Sequence, residues 1–329
     1  MILKRAGIIG TGSYVPEQII TNADLENLVD TSDEWIKTRT GIEERRITDK
    51  NTACSDIATI AAKRAIETAN IPPRDIDLII VATVTPDMNF PATACLIQNN
   101  IGADKSAAFD LEAGCTGFIY AFAVATQFIM TGASKNALVI GADVLSKITD
   151  WSDRNTCVLF GDGAGAVILS NVEGDGVLSN YLRADGSGGD LLYMPGGGSR
   201  NPATSETVKQ KLHYIKMNGN EVFKFAVRAM NDAAEAVLKE AGLSVGEIDL
   251  MIPHQANKRI VDAAAKRLDI TPEKIYVNLN RYGNMSGASI PVALDEAVKE
   301  GKIKKGDYIL MVGFGAGLTW GASLVKWNY

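Results

Sequence analysis

Histidine is nearly absent: His213 and His254 are the only two in 329 residues. That scarcity argues against histidine-rich metal sites and against any mechanism needing two imidazoles. Cysteine is sparse too. Cys54, Cys95, Cys115 and Cys157 lie far apart with no CxxC pair, so neither a disulfide framework nor a zinc ribbon is indicated. Apolar runs such as Ile76 to Val84 break at charge or proline well short of the ~20 residues of a membrane span. Lys4 and Arg5 precede only a short apolar stretch containing Gly10 and Gly12, unlike a secretory leader. A cytoplasmic protein with no membrane segment is the expectation. Charge of one sign is also scarce: the net value is −6 against 46% hydrophobic residues, which excludes disorder for most of the chain. The length allows one large domain or two medium ones at roughly 100–200 residues each.

What is present alternates between strand and helix. Asp77–Val84, Ala137–Val144 and Asp307–Phe314 are short, apolar and rich in β-branched residues, as strands buried on both faces are. Amphipathic helices are predicted over about 52–69 and 222–241, the second stopped by Gly242. This is α/β grammar. Ala61–Ile80 also matches Ala233–Ile252 without gaps at an offset of 172, with seven of twenty residues identical. GDGAG (161–165) and GFGAG (313–317) supply a second echo. Any two helix–loop–strand units look somewhat alike, but the shared IDL strand entry favours duplication. Two halves are expected, 1–172 and 173–329, each with about five strands around a pseudo-twofold axis. Sites in such sheets form beyond the carboxyl ends of the strands.

Three residues stand out at those ends. Cys115 lies in Gly114-Cys115-Thr116-Gly117, between a strand at 107–113 and a helix at 118–130. A helix N-terminus favours a thiolate, and the glycines permit close approach. The other three cysteines read as small packing residues. His254 ends a strand in PHQAN, and its counterpart at the 172 offset is Ala82. One half thus carries a proton-handling group where the other carries a methyl. Asn284 lies in YGNMSG; a two-residue slip that matches Ser286-Gly287 to Thr116-Gly117 puts it opposite Gly114. Alone, Gly-Asn would be only a turn dipeptide.

Taken together, GCTGF, IPHQAN, RYGNMSGAS and GFGAGLTWGASLV resemble the β-ketoacyl-acyl carrier protein synthase III family, and TSDEWIKTRTGIEERR (31–46), ITDWSDRNT (148–156) and LFGDGAGAV (159–167) extend the match end to end. The resemblance implies a thiolase-like fold, a five-layered αβαβα sandwich of two duplicated halves, in a homodimer. It implies an initiating condensing enzyme of fatty-acid synthesis with Cys115, His254 and Asn284 catalytic. Backbone N–H groups of Cys115 and Ala316 would bind the oxyanion. Thiolases use a second cysteine, and none follows Cys157; elongating synthases use a second histidine where Asn284 stands. No metal or cofactor is expected beyond the substrates, acyl-CoA and malonyl-carrier protein.

By the same resemblance, Trp35 and Arg154 would sandwich the CoA adenine, Thr31, Arg39 and Thr40 would lie near its phosphates, and Asn257 would bond the pantetheine arm. Thr31–Glu34 reads as a capping box opening a short helix closed by Gly41, and Trp35 with Arg39 could equally be an exposed cation–π pair. Phe160, Met217 and Phe314 would line the acyl pocket, and Phe90 would close the partner's. Gln255, Ala256, Asn257, Lys258, Arg259, Lys266, Arg267 and Lys224 are the expected carrier-protein contacts. The basic cluster, with Lys274 and Arg228, suits an acidic partner or is an ordinary solvated face. Nucleic acid is a poor fit to an acidic chain without a binding motif. Gly10-Thr11-Gly12 lacks the third glycine of a dinucleotide fingerprint, and Pro16 blocks the helix that fingerprint needs. A cysteine hydrolase and a non-enzymatic acyl-CoA binder remain as alternatives.

Overall fold

A computed structural model describes residues 5–329; Lys4, part of the leader argument, lies outside them. The first sheet contains β1 (Arg5–Tyr14), β2 (Leu78–Ala82), β3 (Ala107–Leu111), β4 (Asn136–Val144) and β5 (Asp162–Val172), in the order β1-β5-β4-β2-β3. The second contains β6 (Val177–Ala184), β7 (Leu250–Pro253), β8 (Tyr308–Gly315) and β9 (Thr319–Lys326), in the order β6-β9-β8-β7. It has four strands rather than five. The place of a fifth, beside β7, holds a single parallel bridge from Met251 to Ile275. A 3₁₀ turn over Pro272–Lys274 leaves too little extended chain there for a longer pairing.

The helices that frame the site are α1 (Asp33–Thr40), α2 (Cys54–Ala69), α3 (Thr93–Ile101), α4 (Gly117–Thr131), α5 (Gly219–Ala241), α6 (Lys258–Leu268) and α7 (Ser289–Lys299). Strand alternation sorts them into layers. Leu78, Ile80 and Ala82 of β2 join a core with α4 and α7, whereas Ile79 and Val81 join α2 and α3. On β8, Ile309 and Met311 face the same centre, while Leu310 and Val312 face α5 and α6. The result is the five-layered αβαβα sandwich of the thiolase-like fold.

The middle layer explains an apolar stretch longer than Ile76–Val84. Gly114–Thr131 is long and apolar enough, by length and composition, to cross a membrane, yet 67% of it is buried between the sheets. Only the face carrying Tyr120, Val124, Gln127 and Thr131 is left partly open, and a helix covered on its other sides is apolar nearly all round. Gly10 and Gly12 have a packing role: a Cβ at Gly12 would stand 2.5 Å from the Ala61 carbonyl oxygen of α2.

Strand register repeats at an offset of 172. Leu78 pairs with Ala137 in the first sheet, and Leu250 with Ile309 in the second. The turns obey the same offset. Gly114–Thr116 and Ser286–Ala288 are both 3₁₀ turns leading into α4 and α7, and they open at φ 55° and 48°. Cys115 therefore corresponds to Gly287, and Asn284 to Glu112; the two-residue slip does not hold. Matching Ser-Gly to Thr-Gly followed side-chain likeness, whereas the positive φ fixes the backbone. The GDGAG and GFGAG echo is coincidental as well. The first enters β5, but the second ends β8 and forms the turn after it.

Glycines let the halves meet. A Cβ at Gly141 would overlap the Gly287 carbonyl oxygen, while one at the equivalent Gly313 would come no nearer than 3.4 Å to any neighbour, with Ile290 Cδ1 first. Gly141→Ala should cost about 1–3 kcal/mol by overpacking, and Gly313→Ala clearly less. Urea unfolding of the two variants reads the difference; equal midpoints would refute the close approach.

Candidate active site

The Cys115 turn is gripped from the second half. Thr319 Oγ1 donates to the Ala113 carbonyl at 2.9 Å and shares a 3.1 Å contact with Thr116 Oγ1. Gly315 presses on the turn so closely that a Cβ there would stand 2.5 Å from Cys115 N. Within the turn, Gly114 N–H donates to Glu112 Oε1 at 2.9 Å. Cys115 is left 8% exposed.

Asn284 is fixed from three directions. Its N–H donates to Leu159 O at 2.9 Å, and its carbonyl accepts from Gly161 N–H at 3.0 Å. Its side-chain Oδ1 accepts from Ser286 N–H at 2.8 Å, the same bond that Glu112 makes in the first half. With Oδ1 taken, Nδ2 is the free donor. His254 extends β7, its N–H bonded to Val312 O at 2.8 Å, and its ring stands edge-on to Phe314 with centroids 5.4 Å apart. Neither ring nitrogen has a protein partner, and both are buried. Cys115, His254 and Asn284 line one cavity of ≈ 590 Å³.

Burial dominates the electrostatics. It pushes the Cys115 thiol up to about 12, against a smaller lowering influence from Ser286, and drives His254 down to about 3. The two groups are therefore a neutral thiol and a neutral imidazole at pH 7. The helix end does not suffice to make a resting thiolate, because removal from water penalises the charge more strongly. Nearby Asp143 is lifted to about 6 by burial, opposed by the hydrogen bonds it accepts from Val84, Gly287 and Thr83.

Two family models match the chain: 3-oxoacyl-[acyl-carrier-protein] synthase III over residues 109–186, and the C-terminal model of the same enzyme over 238–327. The beta-ketoacyl-[acyl-carrier-protein] synthase III of Caldanaerobacter subterraneus subsp. tengcongensis is 63% identical over 324 residues, 98% of each chain. That of Desulfitobacterium hafniense is 60% identical over 323 residues, again 98% of each. The crystal structure of the Aquifex aeolicus enzyme aligns with TM-score 0.91 at 51% identity, covering 98% of this chain and 100% of that one. The chain belongs to the 3-oxoacyl-[acyl-carrier-protein] synthase III family. As a family member it is an acyltransferase of the condensing type.

The synthase III cavity also receives Trp35, Arg39, Thr40, Asn257, Phe160, Met217 and Phe314. Thr31 and Arg154 lie outside its lining. Arg154 instead stacks directly on Trp35, 4.8 Å from the ring centroid, and pairs with Asp30 at 3.6 Å. An adenine between them needs roughly 7 Å, two van der Waals separations, so the slot is closed in this structure. The cation on Trp35 is Arg154 and not Arg39. The α1 cap also differs: Ser32, not Thr31, accepts from Trp35 N–H at 3.1 Å. Asn257 caps α6 through Arg259 N–H at 2.9 Å and donates to Arg39 O at 3.0 Å, so both ends of its side chain are engaged.

A second cavity of ≈ 300 Å³ opens on the other side of Cys115. Ala316, Ser286 and Phe160 reach it together with Leu145, Ile148, Leu192 and Ile215. Ile148 opens the ITDWSDRNT stretch, but no sequence motif marks Leu145, Leu192 or Ile215, which come from separate segments. Met217 and Phe314 line the larger cavity only. Phe90 lines neither and is 85% exposed.

Several expected carrier contacts are already committed. Gln255 is fully buried, donating to Pro253 O and Tyr276 O and accepting from Asn278 N–H; its polar ends are spent on the chain's own backbone. Lys258 is paired to Asp262, Lys224 to Glu221, and Lys274 to the carbonyls of Gly246 and Ile248. Arg259 lies over the Phe223 ring at 5.5 Å, at the larger cavity. Ala256 lines that cavity, and Lys266 and Arg267 are exposed on α6. His213 stacks on Tyr214 away from both cavities. Cys54 and Cys157 are buried, but Cys95 is exposed on the outer side of α3.

A neutral Cys115–His254 pair predicts a pH signature. Iodoacetamide alkylation of Cys115 in the free enzyme should rise steadily from about pH 6 to 10, as thiolate appears only on approach to the raised thiol pKa. A plateau from about pH 5 to 8 would mean a preformed thiolate–imidazolium pair.

Proposed function

We propose that this chain starts fatty-acid assembly by moving an acyl group from acyl-CoA onto Cys115 and condensing it with malonyl-carrier protein. The supporting observation is the convergence of Cys115, His254 and Asn284 on one cavity, with the Asn284 amide oxygen already bonded. The neutral imidazole takes the thiol proton as sulfur attacks the thioester carbonyl, then returns it to the departing CoA sulfur. N–H groups of Cys115 and Ala316 receive the tetrahedral oxyanion. Malonyl-carrier protein next loses carbon dioxide, leaving an enolate whose oxygen faces His254 and Asn284 Nδ2. A neutral imidazole retains an N–H to donate, and both donors stabilise charge that appears only as the bond breaks. The enolate carbon attacks acyl-Cys115 and expels the Cys115 thiolate, giving 3-oxoacyl-carrier protein, and a proton taken up from water restores the thiol.

In this reading CoA enters past Trp35, Arg39 and Thr40, with Arg154 lifting from the indole to admit the adenine. Thr31, at the open end of α1, and Asn257, with one amide hydrogen to spare, flank that path. The acyl chain occupies the second cavity. The enzyme works as a cytoplasmic homodimer whose exposed Phe90 closes the partner's acyl site, and the carrier docks on Arg259, Lys266 and Arg267.

Cys115→Ala should abolish acyl transfer, and label from radioactive acyl-CoA appearing on Cys54, Cys95 or Cys157 would sink the assignment. His254→Ala and Asn284→Ala should slow malonyl decarboxylation by roughly 10²–10³, the cost of one oxyanion donor, with Asn284→Ala leaving self-acylation nearly intact. Normal decarboxylation by both would remove their proposed role.

Arg259→Glu should raise KM for the carrier substrate and spare self-acylation, because exposed charge pairs act mainly on encounter. Equal loss in both half-reactions would assign Arg259 to CoA instead.

A further inference from the structure

Asp143 ends β4 and is fully buried. Oδ1 accepts from Val84 N–H at 2.8 Å and from the hydroxyls of Thr83 and Thr85 at 3.1 Å. Oδ2 accepts from Gly287 N–H at 3.0 Å. At the 172 offset, Gly287 corresponds to Cys115 and Asp143 to Gly315. The second half therefore has no side chain where the first carries a carboxylate. The N–H of Cys115 faces Gly315; the equivalent N–H, of Gly287, is occupied by an anion belonging to the protein.

We propose that Asp143 is a positioning residue for the condensing step: its carboxylate fills the second half's counterpart of the oxyanion position and thereby holds Asn284 with Nδ2 toward the substrate. The proposal rests on the role given to Asn284 above. The leading N–H groups of the turn, on Ser286 and Gly287, are held by Asn284 Oδ1 and Asp143 Oδ2. Ser286 sits at φ 48°, a conformation that non-glycine residues keep only when their surroundings enforce it. Releasing Gly287 frees Ser286, and with it the bond that decides which end of the Asn284 amide faces the cavity. An oxygen turned that way would repel the enolate. A carboxylate is required because two backbone N–H groups lie on different oxygens. A carboxamide accepts on one side only and sets an N–H against an N–H on the other.

Asp143→Asn should slow malonyl decarboxylation by about tenfold, the worth of one buried hydrogen bond, while self-acylation of Cys115 and KM for acyl-CoA change less than about twofold. Added to Asn284→Ala, the same substitution should cause no further loss, since residues acting through one contact are not additive. Asp143→Glu, which displaces both acceptors, should show the same split. Rates are taken per acylated Cys115, so self-acylation certifies the folded fraction. An additive double variant, parallel loss of both half-reactions, or failure of both Asp143 variants to self-acylate would reduce Asp143 to a framework residue and overturn the proposal. Normal decarboxylation by Asn284→Ala alone would also overturn it, and would locate the fault in the role of Asn284.

Discussion

The turn that carries Cys115 and the turn that follows Asn284 are each held by the half of the molecule to which they do not belong. Thr319 and Gly315 grip the turn of Cys115 from the second half, and Asp143 grips the turn following Asn284 from the first. Neither half could shape its turn alone, because the fixing groups sit at the end of the other sheet. This reciprocity demands a thin centre. Gly141 must be glycine for the Gly287 carbonyl to approach, and Gly165 likewise where α7 crosses β5, since a Cβ there would lie 2.6 Å from Val292 N. The largely apolar character of α4 follows from the same demand, because a helix between two sheets has little face left for water.

Burial that thorough has a chemical consequence. Low polarity around Cys115 and His254 favours the uncharged form of both, so the resting site holds no ion pair. Charge is then tolerated only where aligned donors meet it as it develops, and such donors need not reorganise at the moment of reaction. The two open nitrogens of His254 and the free Nδ2 of Asn284 suit that demand better than a site already satisfied at rest. An unpaired buried imidazole costs stability, and such costs are commonly retained where function uses the vacant partner.

The fold was legible because it is written in patterns that survive without partners. Alternating apolar strands, two helix–strand units at one offset and a cysteine between glycines are local signals. Asn284 was legible as a turn residue, yet its counterpart was misplaced, since Ser286 and Gly114 share a backbone conformation but no side-chain likeness. Asn257 and Gln255 carry polar side chains in a promising motif, but the sequence does not say that a helix end and three backbone groups consume them. The second cavity was illegible for a different reason. Its wall joins Leu145, Leu192 and Ile215 from loops distant in sequence, and no periodicity relates such residues.

Comparing equivalent positions shows why a duplicated chain has a single centre. Ala82 stands where His254 does, Glu112 where Asn284 does, Gly287 where Cys115 does, and Asp143 where Gly315 does. The four differences act in concert. A Cβ at Gly287 would touch the Ala82 carbonyl at 3.4 Å and Asp143 Oδ2 at 3.5 Å, so a side chain there would meet a carboxylate where Cys115 meets the bare Gly315. The same carboxylate braces the turn that follows Asn284. Space and hydrogen-bonding capacity that a second centre would need are thus used to stiffen the first, and the two halves are unequal because one set of strand ends supports the other.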